Sequence, residues 1–209
     1  MGQKRVIKPS DERRRELTDA ARELFVEQGY EQTSMSDIAR RANVAQGTFY
    51  IYFSSKQEVL AAIMRELLEE LGGIVRELAE RSDLSALEAL RRVMHDCIAR
   101  MTREPRLVEA VYLKANYSLP SRLLEEYAPA LLPAVTALIE RGVSEGTVRV
   151  KNPEIAADFL WTLGYRFFER IGQQYMGSNQ ASRTGPDLTE LEHTFWEFVL
   201  HGIAVQPES

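Results

Sequence analysis

Apolar residues recur at three- and four-residue intervals along nearly the whole chain, and the two-residue alternation of strands is missing. From Ser10 to Gln28 the spacing of Leu17, Ala20, Ala21, Leu24 and Phe25 predicts a helix with one buried face. Gly29 follows, where a glycine ends helices. A second helix is expected from Ser34 to Ala42, because Ser34-Met35-Ser36-Asp37 has the spacing of a capping box. Asn43 then tolerates a left-handed turn. A short third helix covers Gln46 to Tyr52, and Ser55-Lys56-Gln57-Glu58 reads as a second capping box opening a long fourth. That helix keeps its apolar spacing through Gly72-Gly73, where two glycines predict a bend. Further helical patterns lie at 84–101, 105–115, 120–145, 153–175 and 188–203, with Pro105, Pro120, Pro153 and Pro186 near their starts. Residues 176–187, rich in Gly, Ser, Asn and Pro, read as a loop. The expectation is an all-α chain of about nine helices.

The third helix raises a question of surface. Counting about 100° per residue, Phe49 and Phe53 fall about 40° apart and can anchor it. Gly47, Thr48, Ile51 and Tyr52 point elsewhere, with Tyr50 on the flank. Two short helices joined by a tight turn, the second anchored along one edge, form a helix-turn-helix, whose second helix enters the DNA major groove. Gln46 carries the amide needed for a bidentate pair with adenine. Thr and Tyr hydroxyls suit phosphate oxygens. Lys56, with the free N–H groups of its helix start, suits one phosphate more. The same pattern also fits a plain helical hairpin with a solvated aromatic face.

Charge sharpens this reading without deciding it. The net charge is −5, yet residues 1–56 hold ten Lys/Arg against eight Asp/Glu, and the remainder is net acidic. Lys4, Arg5, Lys8, Arg13, Arg14 and Arg15 cluster at the start. A basic head on an acidic body suggests that only the head meets a polyanion, although a solvated basic tail fits as well. The apolar share of 44% is that of a globular chain. Cys97 is the only cysteine, no run reaches membrane-spanning length, and no signal-like apolar segment opens the chain; a cytoplasmic protein without membrane partners is expected. Cys97 and the three histidines show no metal-ligand spacing, and no cofactor motif appears.

The stretch ARELFVEQGYEQTSMSDIARRANVAQGTFYIYFSSKQEVL resembles the N-terminal domain of the tetracycline-repressor (TetR) family of bacterial transcription regulators. The likeness covers residues 12–60 at many fixed spacings; the remainder matches in architecture alone. It implies a DNA-binding domain over 1–56 and a helical effector-binding and dimerisation domain over 57–209. Thr48, Lys56 and Tyr52 would hold phosphates, while Gln46, Gly47 and Tyr50 would sit in the groove, with Ser34 in the same DNA-facing set. Three positions depart from the pattern. Asn43 replaces a usual glycine, Ala45 a usual Ser or Thr cap, and Ile51 a frequent Tyr or His.

In the last two helices the apolar arcs are wider than the roughly 100° stripe one buried face needs. That excess fits a dimer, or else a central position in a monomeric core. The resemblance implies the former, a four-helix bundle from two subunits, and Leu160, Phe167, Ile171, Phe195, Trp196 and Val199 are the expected interface. It also implies a small-molecule pocket among the preceding helices. Met94, Cys97, Met101, Tyr112, Asn116, Tyr117, Trp161, Tyr165 and Phe168 are candidates, although each also suits an ordinary core. The expected function is a dimeric regulator on a double-stranded, pseudo-palindromic operator, released by an effector. An enzyme would need an acid/base, nucleophile, phosphate-loop or metal constellation, and none is evident. A helical protein-binding or architectural module is the other alternative.

Overall fold

A computed structural model describes residues 10–111, 118–175 and 187–203. Among them are nine helices: α1 (Ser10–Glu27), α2 (Met35–Arg41), α3 (Gln46–Tyr52), α4 (Lys56–Glu80), α5 (Ala86–Met101), α6 (Pro105–Glu109), α7 (Ser118–Ser144), α8 (Pro153–Tyr175) and α9 (Leu188–Ile203). The all-α expectation holds. The charged residues Lys4, Arg5 and Lys8, the candidates Tyr112, Asn116 and Tyr117, and the loop of 176–186 with Pro186 lie outside the described residues.

Local chemistry explains most boundaries. Gly29 takes φ +89°, a conformation costly for other residues, and ends α1 as its N–H bonds Phe25 O at 3.1 Å. Ser34 caps α2 with a complete capping box: its hydroxyl accepts from Asp37 N, and the Asp37 carboxylate takes the Ser34 N–H at 3.0 Å. The box expected at Ser55 is only half formed. Ser55 accepts from Glu58 N, but the Glu58 carboxylate reaches one residue further back, to the Ser54 N–H at 2.7 Å and hydroxyl at 2.8 Å. A complete box that the sequence reading missed, Ser85 with Glu88, opens α5. Helix α7 runs through Pro129 and Pro133, both exposed.

One core joins the first four helices. Leu17 and Phe25 of α1, Ile38 of α2, Phe49 of α3, Phe53, and Leu60 and Ile63 of α4 are each at most 1% exposed. Burying such a side chain contributes about 1.5–3 kcal/mol, so α3, with seven residues, is held by its two phenylalanines rather than by its own helical tendency. Helix α4 then continues for 25 residues and packs on α5 and α7, with α8 and α9 layered beyond.

The two glycines of α4 differ in their surroundings. The helix runs through Gly72-Gly73 without a break. A Cβ on Gly72 would stand 2.8 Å from Leu131 Cδ2 of α7, whereas one on Gly73 would meet nothing within 4 Å. Gly72 therefore marks a close approach of α7.

A polar joint ties the head to the body. Arg22 of α1 donates to Glu66 of α4 at 2.8 Å and to Glu104, just before α6, at 3.0 Å. Burial disfavours the Arg22 charge, but the Glu66 hydrogen bond and the fields of Glu104 and Glu66 reverse this and raise its pKa. Arg106 of α6 donates to the terminal carbonyls of α1, Val26 O at 3.0 Å and Glu27 O.

Candidate nucleic-acid interface and interior cavity

The α2–turn–α3 unit forms as its residues require. Asn43 adopts φ +53°, and Ala45 precedes α3 without any side-chain cap. Phe49 and Phe53 face inward, their ring centroids 5.9 Å apart. Gln46, Gly47, Tyr50 and Ile51 are exposed, with Thr48 and Tyr52 half-buried. Ile51 is the most exposed large apolar residue described, at 77%. A short helix thus presents an amide, a glycine, a phenol and an aliphatic group to the outside. This is chemistry suited to base edges and thymine methyls in a groove. Sequence reasoning missed what clamps it: Arg14 of α1 donates to Tyr52 O at 2.9 Å and lies 4.2 Å from the Phe53 ring centre. Nothing in local spacing signals a contact 38 residues apart.

Lys56, expected to face a phosphate, is already engaged. Its ammonium donates to Tyr30 O at 2.7 Å and sits 4.2 Å from that ring's centre. An ammonium has three donors, so this contact positions Lys56 without saturating it. Ser34 is committed to its cap, with its hydroxyl donating to Asp37 at 2.5 Å. The Ser34 hydroxyl and N–H, with Arg40, hold the Asp37 carboxyl below the ordinary carboxylate range. The Ser54 N–H and hydroxyl do the same for Glu58. Arg41 is paired with Glu23 and Glu27.

The second site is interior. Helices α4, α5, α7, α8 and α9 line a cavity of about 130 Å³. Of the expected effector residues, Met94, Cys97, Trp161, Tyr165 and Phe168 line it. Met101 instead lines a smaller void of about 40 Å³ that shares Tyr165 and Phe168. Leu68, Leu71 and Val75 of α4 also form the wall of the larger cavity, and none of them was an expected effector residue. None of the sixteen lining residues bears a formal charge at neutral pH. Burial pushes the Cys97 thiol up to about 12, so it stays protonated. The Trp196 N–H is buried without an acceptor among the described residues. Among the described residues no His/Cys/Asp/Glu group could hold a metal ion, and no helix is long and apolar enough to cross a membrane.

The residues expected at a dimer face lie mostly inside the chain. Phe167, Ile171, Phe195, Trp196 and Val199 are at most 8% exposed, and Leu160, Phe195 and Trp196 line the cavity. Ring contacts lock α8 to α9, with Phe167 and Phe195 centroids 4.9 Å apart. The outward apolar residues are others: Ile155 and Phe159 of α8 and Phe198 of α9, at 53%, 68% and 71% exposure. A groove of about 420 Å³ between the two helices adds Leu163 and Leu191 to this surface. The 100° count gave the width of the arcs correctly but could not say which edge the chain itself covers.

Comparison with known proteins agrees with this geometry. Residues 17–63 match the model for bacterial regulatory proteins of the tetR family. The chain is 31% identical over 155 residues to the HTH-type transcriptional repressor KstR2 of Rhodococcus jostii, covering 71% of this chain and 74% of that protein. It is 26% identical over 139 residues to the fatty acid metabolism regulator protein of Bacillus subtilis, covering 64% and 70%. Among solved structures, Thermus thermophilus FadR, a repressor in complex with lauroyl-CoA, superposes with TM-score 0.66 and 25% identity over 93% of this chain and 97% of that one. A transcriptional regulator from Pectobacterium atrosepticum superposes with TM-score 0.70 over 96% and 100%, at 21% identity.

Proposed function

The chain belongs to the tetR family of bacterial regulatory proteins, whose members are not enzymes, and from that premise we propose a ligand-responsive repressor that binds a pseudo-palindromic operator as a homodimer. One observation carries the reading. The unbroken helix α4 begins at Lys56, beside the helix-turn-helix, and contributes Leu68, Leu71 and Val75 to the cavity wall. Anything that changes the cavity acts on the same helix that positions the head.

In this reading residues 1–56 bind DNA and 57–209 sense the effector. Gln46, Gly47 and Tyr50 enter the major groove with Ile51 beside them, while Thr48, Tyr52 and Lys56 hold phosphates. The outward apolar surface of α8 and α9 pairs two subunits, so that two copies of α3 meet half-sites about 34–36 Å apart. Effector binding shifts the population towards dimers whose spacing no longer fits. The lauroyl-CoA complex of a similar repressor supports a small-molecule signal. The test is selection of duplexes from a random pool, followed by titration against salt. Recovery of one two-fold sequence bound by a dimer, with a steep salt dependence, is the expected result. Binding without sequence preference would overturn it.

A further inference from the structure

Gly164 has no backbone or packing reason to be glycine. It lies inside α8, where glycine is destabilising relative to alanine. Its φ is not positive, and it is buried. Close approach of a neighbour would account for it, as it does for Gly72, but a Cβ at Gly164 would meet only Met94 Cε, at 4.0 Å. What its missing side chain leaves behind is space, because Gly164 lines the cavity of about 130 Å³. That space has a definite chemistry. Its walls carry no formal charge, its one thiol is kept protonated by burial, and isolated ions are not transferred into such surroundings. An apolar cavity of about 150 Å³ stays dry and admits a single benzene ring, which sets the scale.

We infer that Gly164 sets the volume of the effector cavity, and that this cavity takes an uncharged, apolar group about the size of one six-membered ring. This rests on the proposed effector role for the cavity but can fail separately from it. Any charged part of a larger effector stays outside the walls that Leu90, Trp161 and Phe168 provide.

Three probes share a ring and differ in charge: toluene, benzoate and benzylammonium. Thermal unfolding of the full chain at neutral pH is the readout, and no DNA is needed. Toluene should raise the Tm of the wild type, and the two ions should not. Gly164→Leu fills the cavity with an isobutyl group and should abolish the toluene shift. Gly164→Ala should raise the Tm of the free protein and reduce the shift without removing it, which guards against misfolding of the larger variant. A toluene shift unchanged in both variants would overturn the role of Gly164. Equal shifts with benzoate or benzylammonium, or none with toluene in the wild type, would overturn the ligand class. If the toluene results hold while toluene leaves operator affinity unchanged, the cavity reading stands and the regulatory reading fails.

Discussion

At the scale of single residues, the head separates contacts that position from contacts that read. Lys56 rests on Tyr30 and keeps donors for a phosphate. Lys56→Ala should weaken binding to every duplex alike and lower the salt slope by about one, measured by anisotropy at several salt concentrations. Gln46→Ala should instead cost about 1–3 kcal/mol at one base pair and little on unrelated DNA. Two capping carboxylates, Asp37 and Glu58, are held below their ordinary range. A depressed pKa stabilises the fold above the unfolded value and loses that contribution as pH falls through the folded one. The double variant Asp37→Asn/Glu58→Gln should therefore melt below the wild type at pH 7, with the gap closing below about pH 4. Of these details the Ser34 cap was legible in the sequence, because its chemistry is local. The Arg14 clamp was not, since it joins residues far apart in the chain.

Among elements, helix existence and type were plain from periodicity, and every expected helix is present at least in part. What the helices do with their faces was less legible. A wide apolar arc looks the same whether its far edge meets α9, a cavity or a second subunit, so five of six expected interface residues belong to the interior. The glycines of α4 were similarly opaque, because composition does not say which one meets a neighbour. Gly73→Ala should stabilise the chain by up to about 1 kcal/mol through helix propensity alone. Gly72→Ala should gain less or lose stability, since its methyl must displace Leu131. Urea unfolding of the two single variants checks the order, and a more stable Gly72→Ala would contradict the close approach.

For the whole molecule, two connections between head and body stand out among the described residues. Helix α4 is one, and Arg22 with Glu66 and Glu104, reinforced by Arg106 on the end of α1, is the other. The sequence suggested only α4, because ion pairs across 44 and 82 residues leave no periodic trace. Arg22→Ala leaves two half-buried carboxylates without this partner. It should lower stability by about 1–3 kcal/mol in urea titrations, more than an exposed pair would. Assembly is testable at the same scale. Phe159→Glu with Phe198→Glu should give a folded, fully helical monomer in sedimentation, because both side chains point away from the core. A dimer of undiminished affinity would place the interface elsewhere. Charges at Phe195 and Val199 should cost the fold itself.

The two prolines of α7 carry a consequence for motion. Proline has no N–H, so the carbonyls of Glu125 and Pro129 lose their usual partners four residues on. Glu125, Pro129 and Pro133 lie on one exposed stripe, where water can serve those carbonyls at little cost. Leu131, between the prolines, faces the other way, towards the cavity. The wall of the cavity therefore includes a turn of helix that lacks two backbone hydrogen bonds. In native-state hydrogen exchange, amides of residues 130–132 should open by local fluctuation, well before the amides of α4 at Leu67 and Leu68. Protection of that turn equal to α4 would mean that α7 moves only as a unit.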